Sequence, residues 1–251
     1  MTTLNIQIQN IDGTERPATI EVARVLNLGY ATRDPAFMEL HLAELRDHGI
    51  NAPVPNPPPL IIPLTTAVLT METSVDVQAS RTSGEVEFVV ARTTEGEMVL
   101  GLGSDHTDRE LEVFNIGWSK QVAPNVLSSR FWSMSDLTPE LDDITMKSWV
   151  SGDGESWRPY QDAPARELIR PEQMVAACAS KMGIKEEEVL DSALIFSGTV
   201  HAAAGLEYVS FWRVCLEDKR NSRSLALTYR VNCIGKGVPD EWRQDGPAAE
   251  E

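Results

Sequence analysis

Apolar and polar residues alternate along much of the chain, and this pattern predicts a protein built mainly from β-strands. Leu4 to Gln9 alternates cleanly, and the turn signal Asp12-Gly13 separates it from a second strand, Ala18 to Val25. Thr73 to Gln78 alternates in the same way and leads into a more apolar strand. Because side chains on a strand switch faces at every residue, this period indicates half-buried sheet.

The second half of the chain continues the pattern with one clear helix. Pro171 to Met182 is a predicted helix, since proline suits the first helical position and Gly183 follows the last one. The predicted strands here are Asp143 to Val150 and Trp157 to Tyr160 as a hairpin, Ala193 to Val200, and the antiparallel pair Trp212 to Glu217 and Ser224 to Val231. Many strands and few helices favour a mixed α+β fold that is mostly β.

Near the N-terminus, a helix and a proline-rich segment interrupt the strands. Asp34 can cap a helix over Ala36 to His48, with Pro35 in its first turn and Gly49 at its end. Pro53 to Pro59 lacks most backbone donors, so we interpret it as a stiff connector to the following strands.

Two acidic residues lie at the start of an apolar strand. Glu85 and Glu87 share one face of that strand, where two carboxylates repel each other and are costly to bury together. The polar turn Thr93 to Glu97 and the strand Met98 to Gly103 return Asp105 towards them. Three carboxylates without cysteine or a histidine pair favour Mg²⁺, Mn²⁺ or Ca²⁺ over Zn²⁺. The alternative interpretation is that these acids are solvated charges on a strand face.

The two acidic blocks resemble the motifs of the fumarylacetoacetate hydrolase (FAH) family. That family has Glu-x-Glu on one strand and a later Asn-Asp-x-(Ser/Thr)-x-Arg-Asp-(Leu/Phe)-Gln block, to which Ser104 to Glu112 is similar. The resemblance covers roughly Leu26 to Val231 and is greatest to a branch of unknown function (DUF2848-like). It implies a rolled β-sheet or β-barrel core with flanking helices, usually in a homodimer. The metal ligands it implies are Glu85, Glu87 and Asp105, hereafter the acidic triad.

The resemblance also implies catalytic residues. Acylpyruvate hydrolases and oxaloacetate decarboxylases of the family carry a His-x-x-Glu dyad on a lid helix, which His41 and Glu44 match, with His48 as the competing base. Lys120 matches a lysine that holds a carboxylate or an oxyanion, and the alternative is a solvated surface lysine. The implied substrate-binding residues are Arg109, Gly198 and Thr199. His201, which follows them, either faces the pocket or is structural.

Composition bounds the class of protein. The chain has 251 residues and a formal net charge of -16, which argues against nucleic acid or an anionic membrane surface as partners. We see no apolar run of about 18 residues and no signal peptide. The three cysteines are scattered, which favours reduced thiols in a cytoplasmic protein.

We therefore expect a single FAH-like domain over residues 1–239. Within it, residues 1–64 carry the N-terminal strands, the lid helix and the connector, and residues 65–239 carry the catalytic core. Residues 240–251 are acidic and rich in small residues, so we expect a disordered tail.

The expected function is a divalent-metal-dependent hydrolase or decarboxylase. It would cleave a C–C bond in a 2-oxo or 1,3-dicarbonyl acid through a metal-stabilised enolate. One alternative is an isomerase, tautomerase or hydratase acting on a related enolisable acid. The second alternative is a protein without enzymatic activity that binds a metal or a carboxylate.

Overall fold

The computed structural model describes residues 1–34, 36, 38–39, 42–43, 46, 55–137, 140–202 and 205–236. Its strands are β1 (Thr2–Gln9), β2 (Glu15–Val22), β3 (Arg24–Gly29), β4 (Leu60–Leu64), β5 (Leu69–Thr70), β6 (Ser74–Val77), β7 (Thr82–Arg92), β8 (Met98–Asp108), β9 (Asn125–Ser133), β10 (Thr145–Ser151), β11 (Arg158–Pro164), β12 (Ala193–Phe196), β13 (Phe211–Asp218) and β14 (Arg223–Cys233). Beyond residue 54 its α-helices are α1 (Arg109–Glu112), α2 (Ile116–Gln121), α3 (Pro171–Met182) and α4 (Glu186–Leu190). Short 3₁₀ helices cover Thr66–Val68, Met134–Asp136, Glu140–Asp143 and Ala165–Glu167.

The strands form two sheets, which confirms the mixed, mostly β fold class. The larger sheet has nine strands in the order β2-β1-β9-β8-β7-β12-β3-β4, and β5 pairs with β9 beside this path. The smaller sheet has five strands in the order β11-β10-β13-β14-β6. Neighbours are antiparallel except for β1 with β9, β5 with β9, β12 with β3 and β14 with β6.

Strand β7 lies in the middle of the larger sheet and is buried on both faces. Val86 and Phe88 belong to the core cluster that also holds Trp212 of the smaller sheet, together with apolar side chains of α3. Val89 and Ala91, on the opposite face, belong to a second cluster with residues of β1 and β2. Each fully buried large apolar side chain contributes about 1.5–3 kcal/mol, so this strand is held firmly from both sides.

The predicted strand Ala18 to Val25 is wrong as one element. The chain forms β2 beside β1 and then crosses to β3, which pairs with β12. The break occurs because the N–H groups of Ala23 and Arg24 both donate to the carbonyl oxygen of Ser192, at 2.9 and 3.2 Å. These two hydrogen bonds direct the chain from one part of the large sheet to another.

Two other predicted elements end earlier than the sequence indicates. The sequence pattern also predicts one short helix from Arg109 to Trp118. The structure divides it, because the Asn115 side chain accepts from the N–H of Trp118 at 2.9 Å and begins α2. The strand predicted over Ala193 to Val200 stops at Phe196. Gly198 has φ of +76°, a left-handed conformation that extended strand cannot contain.

Other predictions are confirmed. The helix over Pro171–Met182, the hairpin of β10 and β11, and the pair of β13 and β14 all form where the sequence places them. Positions 36, 38, 39, 42, 43 and 46 have helical backbone. The predicted tail 240–251 lies outside the described residues. Among the helices in the described part of the chain, none is long and apolar enough to cross a membrane.

Candidate metal centre

The hairpin of β7 and β8 brings the acidic triad together. Its turn is closed by the N–H of Thr93, which donates to the carbonyl oxygen of Glu97 at 2.9 Å. The resulting register places Glu85 directly opposite Asp105, and Glu87 opposite Gly103. Directly opposite residues point to the same face, so all three carboxylates lie on one side of the sheet. A slip of one residue would separate them onto opposite faces.

The acidic triad is compact and buried. One carboxylate oxygen from each residue lies within 4.8 Å of the others. Glu85 is 8 % exposed, Glu87 1 % and Asp105 0 %. Among the described residues, Oδ1 of Asp105 is buried without a hydrogen-bond partner. A buried carboxylate oxygen that lacks a donor is costly, and a cation between the three groups would satisfy it.

Lys120 is the cation closest to the acidic triad in the structure. Helix α2 packs against β8 and directs the buried ammonium group onto Oδ2 of Asp105, and Nζ also lies 3.8 Å from Oε2 of Glu85. The same Nζ donates to Oγ1 of Thr107 at 3.2 Å. The alternative of a solvated surface lysine is therefore wrong.

Arg109 is enclosed by three partners. Its Nη2 donates to Oε1 of Glu85 and its Nη1 to Oε2 of Glu112, both at 2.7 Å, while Nε donates to Oγ of Ser83 at 2.6 Å. Glu112 replaces a family glutamine, and its role as a partner of Arg109 was not expected from the sequence. Substrate binding by Arg109 stays a prediction.

Burial and the neighbouring charges raise the pKa values of two carboxyl groups and of the lysine at this site. Burial and the neighbouring carboxylate of Asp105 raise the pKa of Glu87 well above its usual range. Burial also raises the pKa of Asp105, although Lys120 offsets part of this effect. Burial alone would lower the pKa of Lys120, but the charges of Asp105 and Glu85 outweigh it and raise this pKa. The carboxylates are thus short of positive charge even with Lys120 beside them.

A short segment after β12 packs onto the strand that carries the glutamates. The N–H of Gly198 donates to Oε2 of Glu87 at 2.9 Å, and Oγ1 of Thr199 donates to the carbonyl oxygen of Val86 at 2.8 Å. A Cβ atom at Gly198 would lie 2.7 Å from the carbonyl oxygen of Leu28. Only glycine allows this close approach together with the positive φ. Both predicted substrate-binding residues of this segment therefore lie beside the acidic triad.

A cleft opens onto this site. As bounded by the described residues it encloses about 70 Å³, several times the roughly 10–15 Å³ that one water requires. Its polar walls include Glu85, Glu87, Arg109, Lys120 and Thr199, together with Tyr30, Glu112, Glu167 and His201. Tyr30 has φ of +56°, which is unusual for a residue with a side chain, and burial raises its pKa to about 12. Backbone strain of this kind concentrates at functional sites.

The predicted dyad of His41 and Glu44 and the alternative base His48 lie outside the described residues. The described neighbours Met38 and Leu42 pack against Tyr30, which itself lines the cleft.

The donor set fits a hard divalent cation. The acidic triad offers only oxygen ligands, as Mg²⁺, Mn²⁺ and Ca²⁺ prefer. Two ligands on opposite sides of one ion are separated by twice the metal–oxygen distance, which is about 4.2 Å for Mg²⁺ and about 5 Å for Ca²⁺. The observed limit of 4.8 Å is compatible with either ion after side-chain adjustments of a few tenths of an ångström.

A family comparison covers most of the chain. The family model of a Protein of unknown function (DUF2848) matches residues 28–229. No curated protein matches the chain.

Several solved structures share its architecture. One is described as crystal structures of Cg1458, with 14% identity over 87% of this chain and 80% of that chain and a TM-score of 0.56. A second is a hexagonal crystal form of 2-keto-3-deoxyarabinonate dehydratase, with 14% identity, coverage of 86% and 76%, and a TM-score of 0.57. A third is 2-keto-3-deoxy-D-arabinonate dehydratase complexed with magnesium and 2,5-dioxopentanoate, with 14% identity, coverage of 90% and 79%, and a TM-score of 0.56. At this identity the likeness concerns the fold, and it confirms the FAH-like architecture expected from the sequence.

Proposed function

The chain belongs to the family described as Protein of unknown function (DUF2848), and on this premise we propose that it is a divalent-metal-dependent enzyme acting on an enolisable 2-oxo or 1,3-dicarbonyl acid. The favoured reaction is cleavage of a C–C bond by hydrolysis or decarboxylation. The observation that carries the proposal is the buried acidic triad at the base of a cleft, with an unpartnered oxygen of Asp105 among the described residues.

Mg²⁺ or Mn²⁺, with Ca²⁺ as a third candidate, would be held by Glu85, Glu87 and Asp105. When bound, the cation supplies charge that polarises the oxygens of the substrate and favours its enolate form. A small acid with two adjacent oxygens is the ligand that suits such a cation, which is why we propose a small-molecule carboxylate as the partner.

The surrounding residues of the chain have distinct proposed roles. Lys120 holds the substrate carboxylate or a developing oxyanion, because its ammonium group is already buried beside the acidic triad. Thr199 and the backbone at Gly198 position the same carboxylate. Arg109 fixes Glu85 and contributes positive charge to the substrate site.

His41, oriented by Glu44, is the proposed base for the hydrolytic step. A carboxylate beside an imidazole fixes its tautomer and raises its basicity, so that it takes a proton from water. His48 is the competing candidate for this role.

The dehydratase complexed with magnesium and 2,5-dioxopentanoate supports a second candidate function. That protein shares the fold of this chain, and dehydration of a 2-oxo acid also begins with loss of the proton next to the oxo group. We therefore keep a hydratase, tautomerase or isomerase as the alternative reaction at the same site.

Calorimetry of Mg²⁺ and Mn²⁺ binding, with and without oxalate, tests the proposal. Oxalate imitates the planar enolate of a 2-oxo acid, so we expect one ion per chain and tighter binding when oxalate is present. A screen of 2-oxo and 1,3-dicarbonyl acids then follows, and the products separate C–C cleavage from loss of water. The Asp105→Ala variant is expected to bind no stoichiometric metal. A wild-type protein that binds no divalent ion would refute the assignment.

We also propose a homodimer, a cytoplasmic location and a single domain over residues 1–239. The homodimer is supported by four exposed large apolar residues in and around α1 and α2, namely Val113, Phe114, Trp118 and Val122, of which Phe114 and Trp118 are more than 60 % exposed. The location is supported by the cysteines Cys178, Cys215 and Cys233, which are all unpaired.

A further inference from the structure

Two polar side chains that belong neither to the acidic triad nor to its cations line the same cleft. They are His201, which follows β12, and Glu167, which ends the 3₁₀ helix Ala165–Glu167. His201 is exposed, whereas its neighbours Val200 and Ala202 are only 3 % and 6 % exposed. The buried neighbours anchor the backbone on both sides, so the imidazole is directed away from the core.

The backbone that leads to His201 is fixed to the strand that carries the glutamates. Gly198 bonds to Glu87 and Thr199 bonds to Val86, as described above. The Nε2 atom of Gln161 then donates to Oγ1 of Thr199 at 2.9 Å and to the carbonyl oxygen of Val200 at 2.6 Å. His201 therefore follows a clamped segment, and its position is tied to that of the acidic triad.

Glu167 is held in place from another part of the chain. Its carbonyl oxygen accepts from the N–H of Arg33 at 2.9 Å and from Oγ1 of Thr32 at 3.0 Å. Burial raises the pKa of Glu167, and the charges of Arg166 and then His201 offset part of this effect. Both side chains line the same cleft, so a positive charge on the imidazole would stabilise the carboxylate of Glu167.

The other described histidine is not available for chemistry in the cleft. His106 is a buried residue of β8 on the face opposite to Asp105, where its Nε2 lies 2.8 Å from Oγ1 of Thr82 and its Nδ1 lies 3.1 Å from the hydroxyl of Tyr229. Burial and the charge of Arg109 lower its pKa to about 3, so it stays neutral. His201 is the histidine of the described chain that reaches the substrate site.

We propose that His201, oriented by Glu167, is the acid–base residue that moves the proton on the carbon next to the oxo group of the substrate. This inference rests on the proposed function, since it requires a 2-oxo acid in the cleft. It assigns a proton-transfer step separate from the activation of water that we propose for His41. Glu167 is a positioning residue, because it acts through the imidazole.

The step balances with the groups present. The C3–H bond of the substrate breaks, its proton forms a bond with an imidazole nitrogen, and its electron pair moves into the C2–C3 bond while the C2 carbonyl electrons move onto oxygen. The imidazolium is stabilised by the carboxylate of Glu167. Return of the proton, or of a deuteron after exchange with solvent, restores the 2-oxo acid.

Exchange of the methyl protons of pyruvate in D₂O, followed by NMR in the presence of Mg²⁺, measures this step directly. We expect exchange in the wild type to fall by about 100-fold or more in His201→Gln, the range for loss of a general base. Glu167→Gln is expected to slow exchange less, and Glu167→Asp to restore part of the rate. The matched control is Glu21→Gln, an exposed glutamate of β2, which should exchange at the wild-type rate.

Calorimetry of metal and oxalate binding distinguishes failure of the proposed function from failure of the role assigned to His201. If the wild type binds no metal, the proposed function fails and takes this inference with it. If the wild type binds metal and oxalate but does not exchange pyruvate, or if His201→Gln exchanges within about threefold of the wild type, the role of His201 alone is refuted. Weakened oxalate binding in His201→Gln would also refute it, because the residue would then act in binding. Recovery of exchange in His201→Ala by added imidazole would support the assignment.

Discussion

Replacing Glu87 by glutamine should change stability and metal binding in opposite directions. Glu87 is 1 % exposed and shares its site with two other carboxylates, so without metal its charge repels theirs. A glutamine has nearly the same shape, and its carbonyl oxygen can still accept the N–H of Gly198 that now lies 2.9 Å from Oε2. The variant therefore loses the repulsion but keeps the local hydrogen bond.

The size of the effect follows from charge separation and from protonation. Two like charges at 4.8 Å repel by about 3–4 kcal/mol at an effective dielectric constant of about 20, and one oxygen of Glu87 lies within this distance of an oxygen of each of the other two carboxylates. The free-energy cost of this repulsion has an upper limit, because a carboxylate that is destabilised enough takes up a proton and loses its charge. Keeping a carboxyl of ordinary pKa 4.5 protonated at pH 7.5 costs about 4 kcal/mol, at about 1.36 kcal/mol per pH unit. We expect Glu87→Gln to stabilise the metal-free protein by about 1–4 kcal/mol.

The pH dependence of this gain has a definite sign. The pKa of Glu87 is raised in the folded state, so the folded state binds more protons than the unfolded state. The wild-type protein accordingly loses this contribution to stability as the pH rises above the unfolded pKa. The advantage of the glutamine variant should be nearly absent below pH 4.5 and should grow towards neutral pH.

Thermal unfolding with and without Mg²⁺ is the assay. The variant should melt at least about 2 °C higher without metal, at roughly 2–4 °C per kcal/mol for a chain of this length. Mg²⁺ at about 100 times its Kd should stabilise the wild type by about 2.7 kcal/mol and the variant by at least about 1.4 kcal/mol less. Glu21→Gln should change neither value. A variant that is less stable without metal, or that gains as much from Mg²⁺ as the wild type, would refute the reasoning.

Three further changes test other parts of the site. Gly198→Ala should destabilise the protein by about 1–3 kcal/mol in urea unfolding and abolish the stabilisation by Mg²⁺, because the added Cβ would lie 2.7 Å from a carbonyl oxygen. Gly152→Ala is the control, since a Cβ added there has no atom within 4 Å, and an equal loss of stability in this variant would contradict the prediction. Lys120→Met should cost the metal-free protein about 3–5 kcal/mol by leaving Asp105 without its cation, and unchanged urea stability would contradict this. Trp118→Glu should reduce the mass measured by light scattering from that of two chains to that of one, whereas an unchanged dimer would place the interface elsewhere.

Much of the fold could be predicted because period and turn chemistry agree. The turn around Gly96 and the apolar strands beside it fix the hairpin of β7 and β8, and hence the position of Asp105 opposite Glu85. What the sequence pattern missed depends on distant contacts. The crossing from β2 to β3 is caused by hydrogen bonds to Ser192, which is about 170 residues away in the chain. Local periodicity cannot reveal such a partner.

In the candidate site, too, features set by the local sequence pattern were predictable and features set by distant contacts were not. The acidic triad was predictable, since two glutamates on an apolar strand have few purely structural explanations. The enclosure of Arg109 by Glu85 and Glu112 was not predictable from the sequence, because it depends on how α1 packs beside β7. Glu167 carried no sequence signal, since only the folded chain brings it to the same cleft as His201.

The balance of buried charge gives the strongest reason for a divalent cation at this site. The buried carboxylates are those of the acidic triad and Glu112, and the buried cations beside them are Arg109 and Lys120. Four negative charges against two positive charges leave two negative charges in a region of low dielectric. Uncompensated charge there is costly, and a protein built only for stability would use fewer acids. A divalent ion held by the acidic triad would cancel this excess, and Arg109 and Lys120 would keep the carboxylates in place without it.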